Sequence, residues 1–185
     1  MYRKRNLLVV FIIFIILFSG CDSTPKTAED YVNLGDKNLE KKKIEEALVS
    51  YRKALEINPD NNQAQNMFFF ISFQKMTAFR EENKHNEVLK IAKDVVKILP
   101  KNDIAHNALA AAYLDVGEFD SAISEIYIAI EINPIADWYK SLGYAYKKAG
   151  KMEEAIKAYE KAEEFLMKAA DSIEKDLLNP KQNNK

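Results

Sequence analysis

Residues 28–61 read AEDYVNLGDKNLEKKKIEEALVSYRKALEINPDN, and this stretch decides the fold. It contains two runs in which apolar residues recur at the three- and four-residue spacing of an amphipathic helix. Residues 41–43, all lysine, separate the two runs. Asn58-Pro59 closes the second run, because proline cannot donate a backbone hydrogen bond and restricts the residue before it. The stretch therefore predicts two short helices joined by a tight turn.

The second of these helices has a size pattern that returns later in the chain. Its small, large and small residues at intervals of four and three are Ala47, Tyr51 and Ala54. The same intervals separate Ala122, Ile126 and Ala129, and again Ala155, Tyr159 and Ala162. Small residues let two helix backbones approach closely, and large ones fill the space beside them. A fixed period of this kind predicts repeated helical hairpins.

The pattern resembles the tetratricopeptide repeat (TPR) family, whose unit is two antiparallel helices in about 34 residues. The first unit, residues 28–61, matches the family's aromatic, Leu-Gly, Ala, aromatic, Ala and Pro positions with Tyr31, Leu34, Gly35, Ala47, Tyr51, Ala54 and Pro59. The third unit, residues 103–135, matches with Leu109, Ala110, Tyr113, Ala122, Ala129 and Pro134. The fourth unit, residues 136–169, matches with Tyr139, Leu142, Gly143, Tyr146, Ala155, Tyr159 and Ala162. The resemblance implies an all-α fold, a right-handed α-solenoid of about four TPR hairpins.

The second unit, residues 62–102, departs from the pattern. It has 41 residues, seven more than the repeat. Its second helix still matches, because Val88, Ala92 and Val95 keep the spacing before Pro100 that the first unit has before Pro59. Seven residues are about two helical turns, so they can lengthen the first helix by about 10 Å without rotating its faces. We therefore expect an elongated first helix over about residues 63–82.

Two interpretations of this long helix remain open. Residues 67–79 include seven phenylalanine or methionine side chains on almost every side of the helix. Burial among neighbouring helices explains most of them, since an internal first helix touches three others. However, Asn66, Phe70, Phe73 and Thr77 recur at intervals of four, three and four, and so form one stripe on one face.

By family alignment, this stripe lies in the concave groove of the solenoid. The resemblance places one pair from each other unit in the same groove: Val32 and Asp36, Asn107 and Ala111, and Lys140 and Tyr144. We expect Phe70 and Phe73 to bind a partner segment there. The chaperone-type TPR clamp for a C-terminal carboxylate uses a Lys and an Asn where this chain has Val32 and Asp36, so the sequence does not support that mode.

The sequence after the last repeat has two interpretations. Residues 153–178 contain neither Gly nor Pro, so they form either one long helix or a helix that breaks near Asp171. Asp171 and Glu174 have capping-box spacing. We expect residues 170–178 to be a capping helix over the last repeat, since an open stack leaves an apolar face in water. Residues 179–185 are predicted to be a disordered polar tail.

A targeting pattern precedes the repeats. Three basic residues at positions 3–5 are followed by twelve apolar residues, 7–18. Twelve residues rise about 18 Å as a helix, whereas a bilayer's hydrocarbon core is about 30 Å thick. Residues 1–20 are therefore predicted to be a secretory signal peptide.

The next residues resemble the lipobox of bacterial lipoproteins. Ser19-Gly20-Cys21 has the small residues and cysteine of that motif, with Phe18 where the pattern prefers Leu. The resemblance implies that Cys21 receives a diacylglyceryl group and that signal peptidase II cuts before it. The alternative is an incidental thiol beside an uncleaved anchor. If Cys21 is lipidated, residues 21–27 are the lipidated cysteine and a linker, whose residues 22–26 span less than about 18 Å.

Composition excludes several functional classes. Cys21 is the only cysteine, so no intrachain disulfide can form. Removing the signal leaves 24 basic and 28 acidic residues, a formal charge of −4, which does not favour nucleic acid. His85 and His106 lie in different units, and neither belongs to a metal or nucleophile motif. We expect no enzyme activity and no cofactor besides the lipid on Cys21.

The resemblance implies a function at the level of class. A TPR lipoprotein is expected to be a protein-interaction scaffold or assembly factor of the cell envelope, anchored to the inner or outer membrane and facing the periplasm or cell surface. Its partners would be other envelope proteins or peptide segments. The alternative is a structural or surface-exposed lipoprotein that self-associates, and a concentration-dependent oligomer would favour it.

Overall fold

The computed structural model of the chain describes residues 25–178, with side chains described as far as residue 175. This range contains eight α-helices and no strand. They are α1 (Ala28–Glu40), α2 (Ile44–Ile57), α3 (Asn62–Glu81), α4 (His85–Ile98), α5 (Asp103–Asp115), α6 (Phe119–Ile132), α7 (Ala136–Lys148) and α8 (Met152–Leu178). The predicted all-α solenoid is confirmed. The predicted signal peptide, Cys21 and the tail at 179–185 lie outside the described residues.

Each helix packs against the next one along the chain. The pairs α1–α2, α3–α4, α5–α6 and α7–α8 are antiparallel hairpins, and the second helix of each hairpin packs on the first helix of the following one. In addition α5 contacts α7, although α6 lies between them in sequence. The first helices of neighbouring hairpins therefore line one side of the stack.

Turn residues begin and end these helices. Thr27 and Asp30 form a complete capping box at the start of α1. Within the hairpins, Gly117 and Gly150 have positive φ of 80° and 75°, as their position at the turn predicts. Lys42 and Asn83 take the same left-handed conformation in the first two hairpins, with φ of 58° and 55°. The backbone path is therefore shared even where glycine is absent.

Gly35 of α1 and Tyr51 of α2 are in tight contact inside the first hairpin. A Cβ atom placed on Gly35 would lie 2.7 Å from two carbons of the Tyr51 ring. The ring is fully buried, and its hydroxyl donates a 2.5 Å hydrogen bond to Asp36. Burial and this bond to a carboxylate raise the pKa of Tyr51. The ring is thus held by its buried surroundings and by the hydrogen bond of its hydroxyl, so it cannot easily move away from Gly35.

The other hairpins solve the same packing problem with different pairs. Gly143 faces Tyr159 in the fourth hairpin, again with 2.7 Å between the ring and a Cβ atom added to the glycine. In the third hairpin Ala110 and Ile126 occupy the matching places and share a core cluster. The second hairpin reverses the sizes, because the large Met76 on α3 shares its cluster with the small Ala92 on α4. The two helices stay close in every case because one large side chain meets one small residue.

The extra length of the second unit lies in α3. This helix has 20 residues, whereas α1, α5 and α7 each have 13. Lys75 reaches Glu45 at the start of α2 at 2.7 Å, so the residues beyond it extend past the first hairpin. There Arg80 forms a 2.7 Å ion pair with Asp115 at the end of α5. The extension is therefore packed between α4 and α5.

Charged residues mark the two ends of the stack. Asp30 and Lys37 of α1 are exposed, whereas the matching residues of the other first helices are all buried: Ala64, Ala105 and Trp138 for the former, Ile71, Ala112 and Ala145 for the latter. At the other end, exposed Glu163 stands where α2 carries the buried Leu55. Polar outer faces of this kind are typical of the terminal repeats of a solenoid.

Of the two alternatives for residues 153–178, one long helix is correct, and the prediction that residues 170–178 cap the last repeat is wrong. The helix α8 is continuous over 27 residues, and every side chain from 166 to 175 is exposed. Lys161 and Lys168 both bind Glu164 one turn away, and these hydrogen bonds lower its pKa to about 2. Such pairs stabilise a helix in water, so the chain continues past the last hairpin instead of folding back over it.

The packing at Gly35 leads to a first prediction. Gly35→Ala should lower the free energy of unfolding by about 1–3 kcal/mol, because the new methyl group overlaps the buried Tyr51 ring. Tyr51→Ile should also destabilise the chain, but the double variant reproduces the Ala110–Ile126 pair and should lose less than the sum of the two. Urea denaturation of all three variants measures this coupling. Strict additivity would show that the contact does not limit the approach of the helices.

Candidate functional site

A depression of about 320 Å³ lies between α5 and α7 on the side lined by first helices. Its lining residues are Asn107, Ala110, Ala111, Leu114, Ile126, Lys140, Ser141 and Tyr144. The depression is open at α5 because Ala110 and Ala111, which follow each other on this helix, have short side chains. Tyr144 stands beside it with 47% of its surface exposed. The geometry is suited to a bulky apolar side chain that enters over Ala111 and contacts the Tyr144 ring.

The charges around the depression are few. None of its eight lining residues is acidic. Its one charged residue, Lys140, forms a 3.1 Å ion pair with Asp137. Outside the lining, the Lys148 ammonium lies 5.4 Å from the centre of the Tyr144 ring. An uncharged or apolar segment can therefore be bound without burying an unpaired charge.

The structure brings four of the ten predicted groove residues together in this depression, namely Asn107, Ala111, Lys140 and Tyr144. The four on α3, Asn66, Phe70, Phe73 and Thr77, are all exposed, with 53% and 44% of the two phenylalanine surfaces in solvent. They lie on the face opposite the buried residues of that helix, and they are not part of the depression. The Phe73 ring also stacks on Phe69, with centroids 6.0 Å apart.

The first hairpin does not offer the predicted groove surface. Val32 is fully buried in the core cluster that contains Tyr51, so its prediction as a groove residue was wrong. Asp36 is half-buried and accepts hydrogen bonds from the Tyr51 hydroxyl and, at 2.9 Å, from the Gln63 side chain. Its carboxylate therefore serves packing between the first two hairpins. Family alignment places both residues in the groove, but the side chain of Val32 packs in the apolar core of this hairpin instead.

Sequence reasoning missed four lining residues, Ala110, Leu114, Ile126 and Ser141. Leu114 follows Asn107 and Ala111 by seven and three residues, so helical spacing alone would have placed it on their face. The repeat pattern predicts Ala110 and Ile126 only as packing residues. They form the floor of the depression because neither has a side chain long enough to fill it.

The described residues contain no constellation that points to catalysis. Between residues 25 and 178, no cluster of three or more His, Cys, Asp or Glu side chains is arranged to hold a metal ion. His106 is 5% exposed, and its Nδ1 lies 2.7 Å from Glu125 Oε2. Its Nε2 donates to the Pro100 carbonyl oxygen at 3.0 Å, because that oxygen can only accept. Both ring nitrogens thus serve to join α5, α6 and the turn before them.

The antiparallel hairpins and their shared packing define a helical-repeat solenoid. Residues 28–61 and residues 139–165 match two family models described as tetratricopeptide repeat. The chain therefore contains tetratricopeptide repeats in these two segments. The family supports a role in protein–protein interaction.

Curated relatives share parts of the repeat region. Over 69 residues, 37% of this chain, the sequence is 39% identical to the small glutamine-rich tetratricopeptide repeat-containing protein 2 of Saccharomyces cerevisiae, of which it covers 20%. Over 107 residues, 58% of this chain, it is 26% identical to the heat shock protein STI1 of the same yeast, of which it covers 17%. The chain thus spans about a fifth or less of the length of these relatives.

Solved structures with the same fold include two of MamA. A crystal structure of MamA superposes with a TM-score of 0.53 at 23% sequence identity, covering 78% of this chain and 81% of that one. MamA from Desulfovibrio magneticus, residues 41 to the end, superposes with a TM-score of 0.50 at 18% identity, covering 76% of each chain. These similarities concern the fold alone. None of the helices described between residues 25 and 178 is long and apolar enough to span a bilayer.

The depression leads to a second prediction, made with two adjacent alanines. Ala111 is half-buried at the open side, whereas Ala110 is 1% exposed on the floor. Ala111→Trp should change the free energy of unfolding by less than about 1 kcal/mol, because the new ring can lie in the open depression. Ala110→Trp should cost about 1–3 kcal/mol or more, because its ring must displace core side chains. Urea denaturation of both variants tests this, and an equal loss in both would show that the depression is not open.

Proposed function

We propose that the chain is a lipid-anchored scaffold or assembly factor of the bacterial cell envelope, whose groove binds an apolar segment of another envelope protein. The observation that carries the binding part is the depression between α5 and α7, together with the exposed phenylalanines of α3. The anchoring part is carried by the sequence of residues 1–21.

The groove favours one kind of partner. Large apolar side chains exposed to water, and a depression without acidic residues, are both typical of a protein-binding surface. Phe70 and Phe73 supply aromatic area that loses little side-chain entropy on binding. Asp36 is engaged by Tyr51 and Gln63, and Val32 is buried, so a clamp for a free C-terminal carboxylate has no place in the first hairpin. The proposed partner is therefore an uncharged stretch with at least one bulky apolar residue.

The anchor is proposed from the order of elements at the N-terminus. Basic residues, twelve apolar residues and the sequence Ser19-Gly20-Cys21 follow one another without interruption. Diacylation of Cys21 would give stable anchoring, since each buried acyl methylene contributes about 0.8 kcal/mol. Only a few residues separate Cys21 from Thr27, the N-cap of α1, so the scaffold would stay at the membrane.

Self-association by end-to-end stacking is a weaker proposal. Asp30 and Lys37 occupy the outer face of α1, and Glu163 occupies the outer face of α8. Continuing the solenoid into a second copy would bury these charges, at a cost that ordinary packing does not repay. The end faces therefore favour a chain that binds other proteins over one that polymerises.

The anchor is tested by fractionating cells that express the chain. The wild-type protein should be in the membrane fraction and should incorporate radiolabelled palmitate, whereas Cys21→Ser should abolish the label and release the protein. Ser124→Ala, which removes an exposed hydroxyl on α6, serves as the control. Palmitate-free wild-type protein would overturn the anchor.

The groove is tested in the same membranes by chemical crosslinking and mass spectrometry. Wild-type protein should give discrete partner adducts. Ala111→Trp, and separately Phe70→Ala with Phe73→Ala, should remove most of them, because the first fills the depression and the second removes the exposed aromatic side chains of α3. Ile128→Ala with Ile156→Ala removes two side chains that are 36% and 52% exposed outside the depression, and should leave the adducts intact. Adducts that survive both groove variants, with the helical content unchanged, would overturn the groove proposal.

A further inference from the structure

We propose that the N-terminal end of the solenoid is a membrane-contacting face, and that its occupant is the surface of the bilayer that holds Cys21. This inference rests on the lipid anchor proposed above. It adds a second, weaker contact between protein and membrane, which would fix how the groove is oriented.

The face is a shallow apolar depression of about 400 Å³ on the outer side of α1 and α2. It is lined by Tyr31, Leu34, Asn38, Glu45, Glu46, Val49, Ser50 and Lys53. Residues matching Leu34 in the later hairpins, Phe68, Leu109 and Leu142, are at most 4% exposed, because a preceding hairpin covers them. Within the described residues no helix precedes α1, and Leu34 is only half-buried.

Val49 is the residue that sets this face apart. It is the sixth residue of α2 and is 52% exposed. The sixth residues of the other second helices are Lys90, Ser124 and Lys157, all exposed and all hydrophilic. The same solvated position is thus apolar only in the hairpin that follows Cys21.

The charges at this face are compatible with a lipid surface. Glu45 is paired with Lys75 at 2.7 Å, and Glu46 lies 3.6 Å from Lys43. The Lys53 ammonium lies 5.5 Å from the centre of the Tyr31 ring. A tyrosine beside a lysine presents an apolar body with a cationic end, the combination found where proteins meet lipid headgroups. Both carboxylates thus have a lysine nearby. On the outer face of α1, the exposed Asp30 carboxylate accepts hydrogen bonds from the backbone N–H groups of Lys26 and Thr27, and Lys37 and Lys53 are cations that can face anionic lipid.

The length of the tether selects the bilayer as occupant. Residues 22–26 span less than about 18 Å even when fully extended. Thr27 then caps α1, and Tyr31 lies one helical turn, about 6 Å, further along. The face is therefore held within reach of the headgroups, where a high effective concentration lets a small apolar patch bind. A protein partner would have to enter this narrow space first.

The test uses the only cysteine of the chain. Residues 21–185 contain all eight described helices, and Cys21 can be coupled to a maleimide-bearing lipid in vesicles of phosphatidylcholine and phosphatidylglycerol. Val49→Trp places a fluorescent probe in the face, and Ser124→Trp places the matched probe on α6. Trp138 is 8% exposed and remains in both chains as a buried reference. Brominated phosphatidylcholine then quenches any tryptophan that reaches the bilayer.

We expect brominated lipid to reduce the emission of the Val49→Trp chain and to leave the Ser124→Trp chain at the level of the Trp138 reference. Equal quenching of both chains, or no quenching in the Val49→Trp chain, would overturn the proposal. Because the coupling supplies the anchor chemically, such a failure concerns the face alone. A failure of Cys21 to take up palmitate in cells would instead overturn the anchor and leave the quenching result unchanged.

Discussion

One repeated contact sets the spacing of the solenoid, in which a small residue on one helix of a hairpin lies against a large side chain on the other. Gly35 with Tyr51 and Gly143 with Tyr159 are its tightest forms, since a single added carbon would overlap the ring. The ring of Tyr51 is fully buried and hydrogen-bonded to Asp36, which also accepts a hydrogen bond from Gln63 of the next hairpin. The distance between helices is therefore fixed locally and repeated along the stack.

The same constraint determines where a binding surface can form. In the third hairpin the pair is Ala110 and Ile126. Its residue on the second helix, isoleucine, is smaller than the tyrosine of a glycine–tyrosine pair. Ala111 follows on the open side, so α5 and α7 enclose a depression instead of a filled surface. In the second hairpin the sizes are reversed, and the longer α3 keeps its phenylalanine stripe in solvent while Met76 fills the core. Both the packing and the position of the proposed binding surface thus depend on which helix of each hairpin carries the large residue of the pair.

The sequence was sufficient for the features that depend on local spacing. The helical hairpins and the tight turn at residues 41–43 follow from apolar periodicity and turn chemistry, and each is present. Features that depend on what covers a surface were not predictable in this way. Val32 was assigned to the groove by alignment but is buried, and residues 170–178 continue α8 because nothing in their sequence interrupts the helix. Burial is a property of neighbours, and a helical spacing alone does not say which neighbours are present.

The central claim is that the depression over Ala111 receives a segment of another protein. A photoreactive benzoylphenylalanine placed at position 111 tests this most directly when it is irradiated in native membranes beside the same group placed at position 128. The account predicts a crosslinked adduct of discrete mass from position 111 and none of that mass from position 128. The same adducts from both positions, or none from position 111 in a folded protein, would contradict it.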